Sequence, residues 1–535
     1  MSSANARNIS KDKHSLHSEA QNKSKDSKRK ECLKSRIFPE PDYSDLDYSD
    51  LRPPYLHDRD RILYSRAFRR LASKTQIVTA SGRITSDHIR NRLTHSLEVM
   101  QIGSSIALEV NGTRNSTNEI NLDLIQAIAL GHDIGHTAFG HVGEQALGNF
   151  LFYNPSNNLG QNEKRKKKFN GLDKGFHHAF QSLKVCCFLE KAYKPDFWGL
   201  NLTIATLDGI FKHTHLNDDE LKFYRGVFDS YREEFWKENK YFDSFADKKL
   251  TKCLFDYVSP VTCEGIIVSI ADEIAQLCHD VEDIRRLGGF EAVSEFYEVV
   301  KNKISDYDLK NKISEYDLLK NAEIVRKRFE ESLNEVNEVK NNANSNTLKL
   351  ERLYVKLIIN LCIPIVSKMI KNLCTMDKEP QMKLLKKHYL GEFCELEKAG
   401  SKLKLDSRDI DLIKSLDIID KKYKKTLKTL PEVARWDIKG KELCEDLANT
   451  LYKALDHKNN NANGINLDIF NHESREDLNK SYEAGKKFVK EYPSPIDGIK
   501  DFPIKFVVLD HLVGMTDSFI IKEYESLTFK RVELR

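Results

Sequence analysis

The sequence lacks the cysteine spacing of a zinc ribbon or of a disulfide framework. Ten cysteines are scattered along 535 residues, with no C-x-x-C pair and only one adjacent pair, Cys186 and Cys187. Scattered cysteines of this kind are typical of reduced thiols. We therefore expect a cytoplasmic protein.

Long uncharged apolar runs are also missing. The best apolar stretch, 357–370, contains Asn360, Pro364 and Lys368 and is shorter than the roughly 20 residues that span a bilayer. We predict a core helix broken at the proline and no membrane role. Residues 1–36 are rich in Lys, Ser and Asn without an apolar run, which excludes a signal peptide and predicts a disordered tail.

An excess of charge of one sign is absent as well. Lys and Arg number 85 and Asp and Glu number 81, so the formal net charge is only +4, and composition gives no reason to expect a nucleic-acid binder. Hydrophobic residues make up 40% and charged residues 31%, as in globular proteins. Strand-like alternation is scarce and apolar residues recur at helical spacing, which predicts an all-α fold.

Histidine, by contrast, is concentrated in the first half, where ten of the 17 fall between His88 and His279. His95 lies inside one predicted helix, and the pair His132-Asp133 ends another that begins near residue 122. Alone, a histidine inside a helix is usually a core or surface residue, and a His-Asp pair arises often by chance.

A third predicted helix, 261–284, has an apolar face and an acidic face. The acidic face carries Asp272, Gln276, Asp280 and Asp283 at spacings of four, four and three. Such a helix either faces water or lines a polar cavity, and the pattern does not choose between them.

These residue types suit phosphate chemistry with a divalent cation. A site of two imidazoles and two carboxylates favours manganese, iron or cobalt and tolerates magnesium. Hydrolysis also needs cations for the phosphate oxygens and a group that manages a proton. His141 and Glu144, at i and i+3, can manage the proton. The candidates for the cations are Arg90, Arg92 and Lys212.

In this order, the motifs resemble those of the HD-domain deoxynucleoside triphosphate triphosphohydrolases, the dGTPase family. The resemblance extends over about 470 residues, although 290–500 matches poorly in detail. The motifs are DRDR at 58–61, HIRNRLTHSLEV at 88–99, GHDIGHTAFGHVGEQAL at 131–147, GFHHAFQSLKV at 175–185, LDGIFKHT at 207–214, ADEIAQLCHDVED at 271–283 and GMTDSFIIKEYESL at 514–527.

The resemblance implies a role for each candidate residue. It implies one divalent metal ion (Mn²⁺, Mg²⁺, Co²⁺ or Fe²⁺), and the implied ligands are His95, His132, Asp133 and Asp272. The implied catalytic residues are His141, Glu144 and Asp133, and the implied substrate-binding residues are Arg90, Arg92, His136, His178, Lys212 and Gln276. Gln276 stands where the family commonly has a tyrosine, which bears on sugar discrimination and substrate range.

The family reaction is attack of water on the α-phosphorus of a dNTP, nominally dGTP, giving a deoxynucleoside and inorganic triphosphate. The resemblance also implies a homo-oligomer, with single-stranded DNA or a nucleotide as a possible effector. Two alternatives stay open. One is an HD phosphohydrolase acting on another nucleotide, and the other is a catalytically silent regulator that binds nucleotide or DNA.

The expected organisation follows from the motifs and the composition. After the tail, 37–57 is a lead-in and 58–290 is the HD phosphohydrolase core. A helical insertion or C-terminal region covers 291–500, and a helix in 501–535 packs back on the core. The basic run 164–168 and the nine-residue duplication at 303–320 have no assigned role.

Overall fold

The computed structural model describes residues 32–38, 52–75, 90–112, 119–152, 175–191, 197–236, 239, 244–288, 331, 334, 347–405, 407–456, 465, 467–491, 501–528 and 532. Within these ranges the regular structure is helical, and the only β-type pairing is an isolated bridge between Thr75 and Asn91. The all-α prediction is confirmed. The basic run 164–168 and the duplication 303–320 lie outside the described residues.

Eighteen α-helices cover the described ranges. They are α1 (Pro54–Leu63), α2 (Arg66–Arg70), α3 (Arg92–Asn111), α4 (Leu122–Gly131), α5 (Gly140–Phe152), α6 (His178–Lys184), α7 (Ile204–Phe211), α8 (Asp218–Phe235), α9 (Ser244–Phe255), α10 (Cys263–Gly288), α11 (Thr347–Thr375), α12 (Lys378–Lys387), α13 (Phe393–Ala399), α14 (Ser407–Thr429), α15 (Pro431–Leu455), α16 (His472–Glu491), α17 (Phe502–Val513) and α18 (Asp517–Thr528).

Local sequence explains where the helices of the first half begin and end. Asn91 and Thr94 form a reciprocal capping box at the start of α3, which satisfies two backbone N–H groups that a helix start leaves without partners. The side chain of Asn121 caps α4 with a single hydrogen bond, which it accepts from the Leu124 N–H. Helix α4 ends at Gly131, so that His132 occupies its C-cap position.

The centre of the molecule is built around α3, α4 and α10, which pack on one another. Helix α11 covers α3 and α10, while α1 and α7 cover α4. The predicted apolar stripe of α10 is buried throughout, and its members are Ile267, Ile270, Ile274, Leu277, Val281 and Ile284. This packing brings the helices that carry His95, His132 and Asp272 into direct contact.

Asp58 ties the N-terminal part of the chain to this core. Its side chain is fully buried and accepts hydrogen bonds from the Thr203 backbone N–H at 3.0 Å and from the Thr206 hydroxyl at 2.7 Å. Arg36 forms an ion pair with the same carboxylate, and Phe38 is buried nearby in the chain. The predicted disordered tail 1–36 is therefore wrong at its end, because Arg36 is anchored. Residues 1–31 lie outside the described part.

Pro364 does not break its helix, contrary to the expectation from sequence. Helix α11 continues through the proline, and buried neighbours such as Leu361 and Ile365 keep both halves packed on the core. By length and composition alone, Val355–Thr375 is apolar enough to span a membrane. In the structure it packs against α3 and α10, which is the place of a core helix.

The helices after α11 return to the first half of the chain. Helix α15 packs on α5, α16 packs on α8, and α17 contacts both α15 and α5. Asp517, at the start of α18, accepts hydrogen bonds from the backbone N–H groups of Thr75 and Phe139, each at 3.0 Å. The C-terminal helices thus brace the loops that precede α3 and α5.

Candidate functional site: a histidine and aspartate cluster beside a cavity

The four predicted metal ligands lie together at the junction of α3, α4 and α10. His95 Nε2 lies 2.9 Å from Asp272 Oδ1, and His132 Nε2 lies 3.4 Å from Asp133 Oδ1 and 3.9 Å from Asp272 Oδ1. Ligand atoms of His95, His132 and Asp133 all fall within 4.8 Å of one another. One cation can therefore contact donors from all three helices.

The hydrogen bonds of His132 fit a metal ligand. Its Nδ1 donates to the Ala129 carbonyl oxygen at 2.7 Å, which leaves a lone pair on Nε2. That Nε2 is buried and has no hydrogen-bond partner among the described residues. A buried acceptor without a partner costs about 1–3 kcal/mol, and fixing one ring nitrogen on a carbonyl is how proteins orient metal-binding histidines. The residues present fit a divalent cation.

Arg92 supports the cluster from behind. Its guanidinium donates to Asp133 Oδ2 at 2.8 Å, and both side chains are buried. Burial alone raises the pKa of Asp133, but the nearby His132, His136 and Arg92 more than offset this, so the net pKa lies well below its ordinary range. Asp133 is therefore held as a carboxylate, the form that binds a cation.

An open cavity of about 1290 Å³ extends from this cluster. Asp133 and Asp272 line it, together with His136, His178 and His213. From α10, the cavity is lined by Asp272, Glu273, Gln276 and Asp280. The acidic face of α10 therefore lines a polar cavity, which settles the choice that the sequence left open.

Glu144 connects two histidines on the cavity wall. Its Oε2 lies 3.3 Å from His141 Nδ1, and its Oε1 lies 3.0 Å from His178 Nδ1 and accepts the His178 backbone N–H at 2.9 Å. Burial raises the pKa of Glu144, but His178 and His141 lower it by a larger amount, so the net pKa lies well below the usual range. His141 remains 60% exposed while Glu144 is buried, so a fixed carboxylate orients an accessible imidazole.

Glycine and backbone conformation explain how the loops reach this arrangement. A Cβ on Gly135 would lie 2.1 Å from the Ser182 nitrogen and 2.6 Å from the His178 carbonyl oxygen, so only glycine permits this contact between the loop after His132 and α6. Phe139 and Gly140 are both left-handed, with φ of 58° and 59°, and this turn sets the first turn of α5, which carries His141.

Two of the predicted phosphate contacts, Lys212 and Arg90, are engaged by carboxylates and do not line the cavity. The Lys212 ammonium is fully buried 2.7 Å from Asp208 Oδ1, with the Ser259 carbonyl oxygen at 3.4 Å, and it does not line the cavity. An aspartate four residues before a lysine on a helix is an ion-pairing arrangement. Arg90 is engaged by Glu282 and by Asp283 at 3.1 Å and also lies outside the cavity lining.

The other predicted substrate residues have mixed outcomes. His136, His178 and Gln276 line the cavity, and the rings of His136 and His178 stack with centroids 3.8 Å apart. Arg92 does not line the cavity, because its guanidinium faces Asp133. The catalytic and substrate-binding roles themselves stay predictions.

Sequence reasoning missed His213, which is adjacent to Lys212. Its Nε2 lies 3.2 Å from His178 Nε2, its ring packs 4.9 Å from that of His132, and burial lowers its pKa to about 3. The i,i+4 spacing of Asp208 and Lys212 predicts an ion pair, and it could have indicated that His213, not Lys212, faces the cavity. The contribution of the second half of the chain to the cavity lining was also missed, and it includes Tyr389, Lys424, Lys428, Trp436 and Asp437.

Comparisons with known proteins agree with this geometry. Residues 92–277 match the HD domain family. The deoxyguanosinetriphosphate triphosphohydrolase-like protein of Wolinella succinogenes is 39% identical over 234 residues, which cover 44% of this chain and 50% of that protein. The proteins of the same name from Caulobacter sp. and Clostridium tetani are 37% identical over 250 residues and 34% identical over 260 residues.

These two matches cover 47% and 49% of this chain, and 50% and 52% of the respective relatives. The chain thus spans about half the length of the curated relatives that it matches. Residues 92–277 thus match an HD domain, and about half of the chain is similar to deoxyguanosinetriphosphate triphosphohydrolase-like proteins.

Proposed function

We propose that the protein hydrolyses deoxynucleoside triphosphates, nominally dGTP, to a deoxynucleoside and inorganic triphosphate with the help of a divalent metal ion. The HD domain and the relatives support a nucleotide phosphohydrolase. One observation carries the finer proposal: the His95, His132, Asp133 and Asp272 cluster opens into the same cavity as the Glu144 carboxylate and its two histidines.

His95, His132, Asp133 and Asp272 would hold the metal ion. A divalent cation there would supply positive charge next to phosphoryl oxygens and make a nearby water more acidic. The protein's own contribution is to fix these four groups before substrate arrives, since three of them are within 4.8 Å of one another and Arg92 holds Asp133 in place. Fixed charges of this kind need no rearrangement during the reaction.

His141 is placed to manage the proton of the leaving group. Its Nδ1 faces Glu144, which leaves Nε2 available toward the cavity. In the protonated form, His141 can deliver a proton to the departing 5′ oxygen as the bond from that oxygen to the α-phosphorus breaks. The water oxygen bonds to the phosphorus, and the proton that the water loses passes to solvent in the open cavity. Glu144, held by His178, stabilises the imidazolium during this step.

A product assay tests the proposal. Purified protein with Mn²⁺ is incubated with each of the four dNTPs separately, and nucleoside, triphosphate, pyrophosphate and orthophosphate are resolved by ion-exchange chromatography. We expect nucleoside and triphosphate in equal amounts from at least one dNTP. Orthophosphate as the product would favour an HD phosphohydrolase of another substrate class, and nucleotide binding without turnover would favour a silent regulator.

The His141→Ala variant tests the assigned proton role. It should retain bound Mn²⁺ and lose roughly 10²–10⁴-fold in kcat, the usual contribution of a positioned acid or base. His388→Ala is the matched control, since His388 lies outside the cavity lining and contacts Glu395 at 3.5 Å; its rate should equal that of the wild type. A near-full rate in His141→Ala would remove this role.

Several further expectations remain proposals. The ten cysteines form no disulfide among the described residues, which supports a cytoplasmic location. A homo-oligomer and a nucleotide or single-stranded DNA effector are proposed from the resemblance alone. The basic run 164–168, which would be the natural DNA contact, lies outside the described residues.

A further inference from the structure

Two cysteine side chains meet where α10 and α11 pack on each other. Cys263 is the first residue of α10, and Cys374 is the last residue but one of α11. Their sulfur atoms lie 2.7 Å apart, although the two residues are 111 positions apart in the sequence. The start of one helix thus contacts the end of the other, as in two helices that run in opposite directions.

A second thiol pair on the same two helices agrees with this arrangement but is more deeply buried. Cys278 on α10 and Cys362 on α11 are both buried. Burial raises the pKa of Cys278 well above its ordinary value, and the nearby Cys362 raises it further. Burial also raises the pKa of Cys362 to about 12. Thiols in such surroundings stay protonated and are chemically inert.

Cys263 and Cys374 differ from that pair because both are only half-buried. Oxidation selects cysteines by their exposure and by their thiolate character. Cys263 also lies at the N-terminal end of α10, where the helix dipole favours a thiolate. This pair therefore combines contact between the two sulfur atoms with access for a small oxidant.

A bond between these two sulfur atoms requires little movement. A disulfide joins its sulfur atoms at about 2.05 Å, and the observed separation is 2.7 Å. Both helices also pack on α3, so that the approach of the two thiols is set by the helical core rather than by a loop. The folded protein is thus already arranged for this crosslink.

We infer that Cys263 and Cys374 form a reversible disulfide when the protein meets a small-molecule disulfide such as glutathione disulfide. The Cys263 thiolate attacks one sulfur of the oxidant, the S–S bond of the oxidant breaks, and one small thiolate leaves with the electron pair. The Cys374 thiolate then attacks the Cys263 sulfur and displaces the second small thiolate. The two protein thiols lose two protons, which the two departing thiolates take up, and the oxidant gains two electrons.

The disulfide ties the helix that carries Asp272 to the helix that covers it. Asp272 lies nine residues after Cys263 on α10. A crosslink between positions so far apart in sequence restricts the unfolded chain strongly, so the oxidised protein should unfold at a higher temperature. In a reducing compartment the dithiol form prevails, and the bond responds to oxidising conditions. The inference goes beyond the proposed function and does not rest on it, because the thiols react whether or not a nucleotide is hydrolysed.

Thiol mapping of the full chain tests the inference. Protein reduced with dithiothreitol is equilibrated with glutathione disulfide, the remaining thiols are blocked, and the peptides are analysed by mass spectrometry without reduction. We expect peptides joined through Cys263 and Cys374, their separation on return to dithiothreitol, and a rise of several degrees in the midpoint of thermal unfolding. Recovery of Cys263 and Cys374 as blocked thiols, or as two separate glutathione adducts, would overturn the inference.

Two matched variants separate this bond from other thiol reactions. Cys374→Ala should leave Cys263 carrying one glutathione, and the rise in the unfolding midpoint should disappear. Cys362→Ala removes one thiol of the buried pair and is the control, so it should keep both the joined peptides and the rise on oxidation. An equal rise on oxidation in Cys374→Ala would contradict the stabilising effect assigned to the bond.

Discussion

Asp133 lies beside the predicted metal-binding histidines and lines the cavity, and its carboxylate contacts both an arginine and a histidine. Oδ2 accepts from Arg92 at 2.8 Å, while Oδ1 lies 3.1 Å from His136 Nε2. A carboxylate oriented by a buried arginine is a typical outer contact of a metal ligand. Because Arg92 contacts Asp133 and does not line the cavity, it would act on a cation only through Asp133, and its removal should affect metal binding more than substrate binding.

Arg92→Ala should therefore weaken Mn²⁺ binding by roughly 10–100-fold, the usual effect of losing such a contact. Isothermal titration with Mn²⁺ measures this change, and Arg59→Ala, at a half-buried arginine near Asp123, should leave the affinity unchanged. If Arg92→Ala kept its Mn²⁺ affinity and raised only the KM for dNTP, Arg92 would be a phosphate contact, as the sequence first predicted.

Asp280 gives a second prediction at the residue scale, concerning pH. Both of its carboxylate oxygens are buried without a hydrogen-bond partner among the described residues. Burial is the largest influence on the pKa of Asp280, and it raises the pKa. Asp420 and Asp283 also raise this pKa, whereas Lys424 and Arg90 lower it, and the net pKa lies well above the ordinary value. The folded state thus favours the protonated form. The contribution of this protonated carboxyl group to stability is fully present below about pH 4, the pKa of an aspartate in the unfolded chain. It is lost as pH rises through the raised pKa of the folded state.

Asp280→Asn keeps the shape and stays neutral, so it should stabilise the protein at pH 8 by about 1–3 kcal/mol, the cost of an unsatisfied buried polar group, and by less at pH 5. Urea unfolding at the two pH values measures the difference. The exposed Asp411 offers a control, since Asp411→Asn should show no such pH dependence. A gain that is equal at both pH values would contradict the account.

At the scale of elements, periodicity predicted the helices well and the direction of single side chains less well. Ile267 and Ile270 recur at helical spacing on one side of α10, and Asp272 and Gln276 lie on the other. This pattern predicts that the apolar side faces the core, where the structure has it. Lys212 and His213 lie beyond the end of α7, where the backbone leaves the helical path. Periodicity there no longer says which neighbour faces the cavity.

Gly135 tests how one element positions the next. Gly135→Ala would place a methyl group 2.1 Å from the Ser182 backbone nitrogen, so the loop after His132 must move away from α6. We expect a loss of about 1–3 kcal/mol or more, as in overpacked cores, with weaker Mn²⁺ binding, measured by thermal unfolding and titration. Gly112→Ala is the control, because its new methyl group meets only the Leu108 carbonyl oxygen at 3.2 Å, and it should change stability and Mn²⁺ binding by less. Equal effects of the two substitutions would show that the close contact with α6 is not why position 135 is glycine.

At the scale of the whole molecule, contacts between distant parts of the chain complete the site. Trp436 and Lys428, from helices after residue 400, line the same cavity as Asp272, and Asp517 supports the turn at Phe139. No local sequence pattern predicts such contacts, because they depend on how the second half of the chain packs on the first. Motif order could therefore predict that His95, His132, Asp133 and Asp272 come together, but not which residues of the second half of the chain line the cavity.

Asp58 should contribute strongly to the stability of the whole fold. Breaking a buried ion pair by removing one partner typically costs about 3–5 kcal/mol, and Asp58 also caps the start of α7 through Thr203. We expect a loss of that size in Asp58→Ala, measured by urea unfolding. Asp60→Ala removes a partly exposed pair with Arg52 and should cost less than about 1 kcal/mol. Similar losses of unfolding free energy in the two variants would show that the buried contacts of Asp58 contribute no more to stability than a partly exposed ion pair does.

The most direct test of the proposed chemistry is hydrolysis of a dNTP in ¹⁸O-labelled water with Mn²⁺, followed by phosphorus NMR and mass spectrometry of the products. Attack of water on the α-phosphorus beside the His95, His132, Asp133 and Asp272 cluster predicts one labelled oxygen on a terminal phosphate of inorganic triphosphate and an unlabelled deoxynucleoside. Label in the deoxynucleoside, or release of orthophosphate or pyrophosphate instead of triphosphate, would contradict the account.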